Sequence, residues 1–230
     1  MSEAKAPKRQ VKSKQRVADH GEVFTAEREV NAMLDLVKPE TERIDSRFLE
    51  PACGDGNFLA AILRRKLAVV KSRYRRNALD YERFSLLALT SLYGVDILPD
   101  NVTECRERLY VIWNEDYKKG VKKAANDEAR MAARFILKRN ILCGDAQTLM
   151  TPESTPIIFS EWSFVMGDKV KRRDFRLDML MQDEQPTLLN NNSMIPPAGW
   201  ELDRETNAFI PSPIQEFPPT DYRRLVQYDE

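Results

Sequence analysis

The chain has 230 residues, with 36 Lys and Arg balanced by 36 Asp and Glu and a hydrophobic share of 42%. That length allows one full α/β domain, or a smaller domain with appended tails. No segment approaches the roughly 20 consecutive apolar residues of a membrane helix, and Cys53, Cys105 and Cys143 lack metal-ligand spacing, so a cytoplasmic protein without membrane or metal is expected.

Residues 1–16 carry Lys5, Lys8, Arg9, Lys12, Lys14 and Arg16 against Glu3 alone, which reads as a basic flexible arm, either solvated or touching nucleic acid. Residues 4–10 contain no apolar signal core. The next segment, His20-Gly21-Glu22-Val23-Phe24-Thr25-Ala26, leads into a helix. Thr25 is its expected N-cap, and Val30, Met33, Leu34 and Val37 form one apolar face. His20 is the only histidine, which rules out a multi-histidine metal site.

Arg47 to Leu59 reads as strand, tight turn, helix. Phe48 and Leu49 end a short apolar strand and Pro51 stops it, while Gly54 and Gly56 permit close backbone approach at a helix N-terminus. Glu50 and Asp55 would repel a pyrophosphate, so the turn suits a zwitterionic or hydroxyl-rich ligand. No Gly-Lys-Ser/Thr is present, against a triphosphate loop. Arg64, Arg65, Lys66, Lys71, Arg73, Arg75 and Arg76 then form a dense basic run. It has two readings: a track for a phosphate backbone or a salt-bridged helical surface.

Leu92-Tyr93-Gly94-Val95-Asp96 reads as a second strand ending at an acid, either a clamp for ribose hydroxyls or the N-cap of the following helix. A helix is expected over 121–137. A third strand, Asn140 to Cys143, ends in Gly144-Asp145, and a fourth is expected at 156–159. From 166 onward prolines and Asn190-Asn191-Asn192 suggest an irregular extension. The expected division is therefore an arm at 1–16, a ligand-binding domain at 17–165 and the extension at 166–230.

Pro51-Ala52-Cys53-Gly54-Asp55-Gly56 resembles motif I of the class I S-adenosylmethionine-dependent methyltransferases, in the form used by N6-adenine DNA methyltransferases of restriction-modification systems. Phe24-Thr25-Ala26 resembles their motif X, with Ala26 in place of the usual proline. Leu92 to Asp96 resembles motif II, and Gly144-Asp145 motif III. The resemblance spans about residues 20–165. It implies an α/β, Rossmann-like fold, with the C-terminal part of the sheet shortened here, that binds S-adenosylmethionine. By the same resemblance Phe24 and Thr25 would contact the methionine half. Glu50, Gly54 and Gly56 would surround methionine and ribose, Asp96 would hold the ribose hydroxyls and Asp145 the adenine. Pro51, Cys53, Ile97 and Ala146 complete the implied cofactor-binding set.

The family's fourth motif, Asp/Asn-Pro-Pro-Tyr/Phe, occurs nowhere in the chain. Two readings follow. Ser160, Glu161, Trp162 and Phe164 form a degenerate catalytic loop, with Glu161 as hydrogen-bond acceptor and Trp162 or Phe164 as the ring stacking on a flipped base. Alternatively, a protein partner supplies catalysis or target recognition. Lys169, Lys171, Arg172 and Arg173 are expected near the substrate mouth as contacts to DNA phosphates. The expected function is a DNA adenine-N6 methyltransferase or modification subunit of a defence system. The alternative is a non-catalytic DNA- or protein-binding subunit that keeps the fold.

Overall fold

A computed structural model of the protein describes residues 12–20, 22–181, 187–188, 194–195, 199–203 and 208–229. Lys5, Lys8, Arg9, Gly21, the triplet at 190–192 and the prolines at 196–197 lie outside the described residues. The chain is mixed α/β, with a small parallel sheet and a helical layer. Three short helices, α1 (Lys14–His20), α2 (Glu27–Asp35) and α3 (Lys38–Thr41), precede β1 (Phe48–Glu50). A helix pair, α4 (Asn57–Tyr74) and α5 (Ala78–Thr90), leads to β2 (Leu92–Asp96). A second pair, α6 (Pro99–Val121) and α7 (Asp127–Asn140), leads to β3 (Ile141–Cys143).

The strands pair in parallel in the order β1-β2-β3, with Glu50 opposite Gly94 and Asp96 opposite Cys143. β2 is buried along its whole length, as a parallel strand covered on both faces should be. Leu92 packs with the helices, whereas Tyr93 and Val95 face a second apolar cluster with Ile157, Phe159 and Leu177.

Each connection needs two helices because the first overshoots the sheet. Lys66, midway along α4, donates from Nζ to the carbonyls of Ile44 and Ser46 and to Ser91 Oγ, all at the amino ends of β1 and β2. The second half of α4 therefore extends beyond the strands and α5 returns. The same holds for α6, whose 23 residues span roughly 34 Å, and α7. The helix expected over 121–137 is broken here: Val121 closes α6, Lys122–Ala124 form a 3₁₀ turn, and Asn126 caps α7 by accepting the Ala129 N–H.

The division at 165/166 does not hold, because it cuts the strand β4 (Ile158–Met166), which is hairpinned to β5 (Lys169–Arg176). Then follow α8 (Leu177–Leu180), two short strand pairs, β6 (Thr187–Leu188) with β7 (Met194–Ile195) and β8 (Trp200–Asp203) with β9 (Ala208–Pro211), and finally β10 (Gln215–Asp221). β10 joins the hairpin in an antiparallel sheet ordered β10-β5-β4, so the described part of the expected irregular extension is largely regular. A closing 3₁₀ helix, Tyr222–Asp229, returns to the helical layer. There the buried Glu82 carboxylate accepts from Tyr117 (2.6 Å), Asn126 (2.8 Å) and Tyr222 (2.8 Å) and pairs with Arg223 at 2.7 Å.

Candidate functional site at the strand carboxyl ends

The turns that follow the three parallel strands meet at Asp96. Cys53 donates its N–H to the Val95 carbonyl at 2.9 Å, and Gly54 donates to Asp96 Oδ2 at 2.8 Å. From the other side Gly144 donates to the Asp96 carbonyl at 3.0 Å. Gly54 and Gly56 have φ of 52° and 84°, in the left-handed region that other residues avoid. A side chain at Gly56 would also strike Cys105 Sγ.

Asp96 is only 8% exposed. Its Oδ1 accepts the Leu98 N–H (2.9 Å) and Asn101 Nδ2 (3.1 Å), and Oδ2 accepts Gly54. A carboxylate offers about four lone-pair positions, so roughly one remains for a ligand hydroxyl. Asp96 thus ties the turn after β1 to the segment entering α6, whose N-cap position is taken by Leu98 and not by Asp96. Ile97 stands beside it with 55% of its surface exposed, an open apolar face at the mouth. Asp145 uses Oδ1 to accept the Gln147 N–H, and Ala146 leans on the second apolar cluster.

Glu50 ends β1 with no ion pair among the described residues, and burial pushes its carboxyl upward, as expected for a partly desolvated acid. Pro51 is exposed. Cys53 turns the other way, inward against Gly94 and Cys105. The Cys105 contact and burial push its thiol up, so it is a small apolar group of the core. Asp55 is buried and paired with Arg108 at 3.0 Å.

The described residues 12–20 and 22–25 lie across this crevice. The Phe24 ring rests on Gly54, and Thr25 offers its carbonyl to Asn57 Nδ2 at 3.2 Å. Ala26, not Thr25, takes the N-cap position of α2, without a side-chain bond. Arg16 pairs with Glu22 (2.6 Å) and Asp100 (2.5 Å), holding the Asp100 carboxyl down to about 2. Lys12 reaches Asn101 and Glu104, both at 2.8 Å. The described part of the expected flexible arm is therefore pinned to the first turn of α6. Sequence reasoning missed Arg16, Glu22 and Asn101. The one available signal was the acid-rich start of α6 facing an arm of opposite charge.

The four catalytic candidates do not reach the crevice. They lie on β4, not in a loop, and β4 runs opposite to β1, β2 and β3. It passes from Ile157 beside Val95, through Trp162, whose Nε1 donates to Asn140 Oδ1, to Phe164 against Tyr222. Asn140 in turn donates to the carbonyls of Thr90 and Leu92, at the amino ends of the strands. Ser160 and Trp162 are buried in the core, so Trp162 cannot stack on a base. Glu161 is held by Arg47 at 2.5 Å and Arg173 at 2.5 Å.

The basic group at 169–173 is likewise split by strand alternation. Arg172 is 1% exposed and bound to Asp174 at 2.6 Å, so it cannot meet phosphates. Arg173 is engaged by Glu161 and Lys171 by Glu216 (2.9 Å). Lys169 is exposed at the hairpin turn, beside Asp168, whose carbonyl accepts the Tyr222 N–H. That turn lies at the far end of the molecule from the crevice.

A cavity of about 390 Å³ opens elsewhere, at the edge of β1, lined by Arg47, Leu49, Tyr93, Phe159, Phe175 and Leu180 among others. None of Gly54, Asp96 or Asp145 lines it. Among the described residues no group of three or more His, Cys, Asp or Glu could hold a metal ion, and no helix is long and apolar enough to cross a membrane. Comparisons with protein-family models, curated proteins and solved structures find no match.

Proposed function

We propose that the crevice at the carboxyl ends of β1, β2 and β3 binds S-adenosylmethionine, in a domain of the Rossmann-like methyltransferase type. The observation that carries this reading is the convergence of three strand-end turns on Asp96, through Gly54 and Gly144. The donor set fits the group. Glu50, an acid without an ion pair among the described residues, suits an ammonium, and Asp96 retains one acceptor position for a ribose hydroxyl. Ile97 offers an apolar plane for an aromatic base, Asp145 an acceptor beside it, and Phe24 with Thr25 a cover.

When bound, the cofactor supplies an electrophilic methyl group on a sulfonium, transferred by in-line displacement. The residues of this chain orient it and exclude water, a contribution made by positioning. DNA adenine is the substrate class that the resemblance favours, with this chain as the modification subunit of a restriction-modification or defence system.

The path of β4 favours a division of labour. The segment after the third strand leaves the crevice, so the groups that would hold a target base come from a protein partner. A second reading, a non-catalytic subunit that docks DNA or protein, draws support from the cavity beside β1, a strand paired only with β2 among those described.

Calorimetry with S-adenosylmethionine on the intact chain tests the first reading. Binding by the parent, lost in Ile97→Asp without a change in melting temperature, is the expected result; a parent that does not bind refutes it. Labelled-methyl transfer to DNA, with the chain alone and with the product of the neighbouring gene, then separates the two readings. Activity only in the mixture marks a split enzyme.

A further inference from the structure

We propose that the end of the helical layer farthest from the crevice is a docking surface for the phosphate backbone of a nucleic-acid duplex. It goes beyond the cofactor reading and does not depend on it. Two basic groups, distant in sequence, meet at this end. Lys71, Arg73, Arg75 and Arg76 surround the end of α4, and all four are exposed. Lys118, Lys119, Lys122 and Lys123 surround the end of α6, again all exposed.

The start of α5 joins them. Tyr74 stacks on Phe84 with ring centres 4.0 Å apart, which ties α4 to α5. Tyr81 lies flat against Gly120 and donates its hydroxyl to Asp116, which ties α5 to α6.

The salt-bridged reading of this surface fails on the contacts. Of the basic run at 64–76, Lys66 is consumed by carbonyls and Arg65 by Asp35. None of the eight residues at this end makes an ion pair among the described residues. Residues 71–81 and 115–124 together hold eight bases against Asp80, Glu115 and Asp116. Asp80 accepts from Asn77, and Asp116 from Tyr81. Asp127 and Glu128 open α7 nearby, the former paired with Arg130.

Helix dipoles favour cations at the last turn, which accounts for one or two per helix but not four. Unneutralised like charges destabilise a compact state, and a polyanion relieves them. The apolar content is low: Leu79 is the one large exposed apolar side chain in these two stretches. That is too little to insert into a bilayer, whereas cations spaced along two helix ends suit a row of phosphates.

Lys122 adds an independent observation. Its φ is 54° and ψ is −117°, the first-corner geometry of a type II′ turn, where glycine is the relaxed choice. A lysine held there keeps a cation at the tip of α6 against local backbone preference.

Fluorescence anisotropy of a labelled duplex of about 25 base pairs, titrated between roughly 50 and 200 mM salt, tests the proposal. The parent is expected to bind without cofactor. Neutralising Lys118, Lys119, Lys122 and Lys123 to Gln should weaken binding at least tenfold and lower the salt slope by about 3 to 4. Lys71→Gln with Arg75→Gln provides a second variant should the first unfold, with a slope lowered by about 2. Lys122→Gly should raise the melting temperature while weakening binding. Absence of duplex binding by the parent at low salt, unchanged binding by a folded Gln variant, or binding to phosphatidylserine vesicles instead of duplex overturns it.

Discussion

Gly54 donates its backbone N–H to Asp96 Oδ2 at 2.8 Å, so a turn after one parallel strand is held by the side chain that ends the next. The same carboxylate accepts Leu98 and Asn101 on Oδ1. Asp96→Asn can present an oxygen on only one side and sets an NH₂ group against an N–H on the other. A loss of about 1–3 kcal/mol is expected in urea denaturation. Asp96→Ala, which strands all three donors, should cost more. Equal stability of parent and Asp96→Asn would mean that the carboxylate does not organise the crevice.

Much of this crevice was legible because strand-end turns advertise themselves: glycines with positive φ at 54 and 56, an acid at 96, Gly-Asp at 144–145. The antiparallel sheet was not, and Arg172 shows why. On β5, Lys169, Lys171 and Arg173 point outward while Val170, Arg172 and Asp174 point inward. A fully buried Arg–Asp pair replaces the apolar residues that would have marked the strand's period of two, so the segment read as a basic run. The direction of β4 was equally hidden, since hydrophobic alternation is the same whichever way a strand runs.

The hub at Glu82 makes the C-terminal 3₁₀ helix part of the helical core. Glu82→Ala would leave the hydroxyls of Tyr117 and Tyr222 without their acceptor and Arg223 with Asp168 as its main remaining partner. A destabilisation of about 3–5 kcal/mol is expected, with Glu82→Gln intermediate because it keeps one acceptor. Limited proteolysis should then cut near residue 222 first. A C-terminus as resistant as the parent's would separate the hub from the docking of that helix.

Gly120 offers a test of sign. In an exposed helix, replacing Gly by Ala stabilises by about 1 kcal/mol. Here a Cβ would overlap the Tyr81 ring, so Gly120→Ala should instead lower stability by about 1–3 kcal/mol. The Gly120→Ala, Tyr81→Ala double variant should recover part of the loss relative to Tyr81→Ala alone. A stabilised Gly120→Ala would refute the close approach of α5 and α6.

Lys66 sits fully buried in α4, its amine shared among the carbonyls of Ile44 and Ser46 and the Ser91 hydroxyl, with Phe48 5.1 Å away. Burial pushes its pKa down to about 7 from the ordinary 10.5. Between these values the unfolded chain holds a proton that the folded chain has released, so stability rises with pH across that interval, by at most about 1.4 kcal/mol per unit. Denaturation curves from pH 7 to 9 should show this rise in the parent. Lys66→Met should lose it, while being less stable throughout by about 1–3 kcal/mol because two buried carbonyls lose their donor. If parent and Lys66→Met gave parallel pH profiles, the amine would have to be charged in both states. Its three acceptors would then outweigh desolvation, and the joint between α4 and the amino ends of β1 and β2 would be a salt-independent cation site instead of a titrating one.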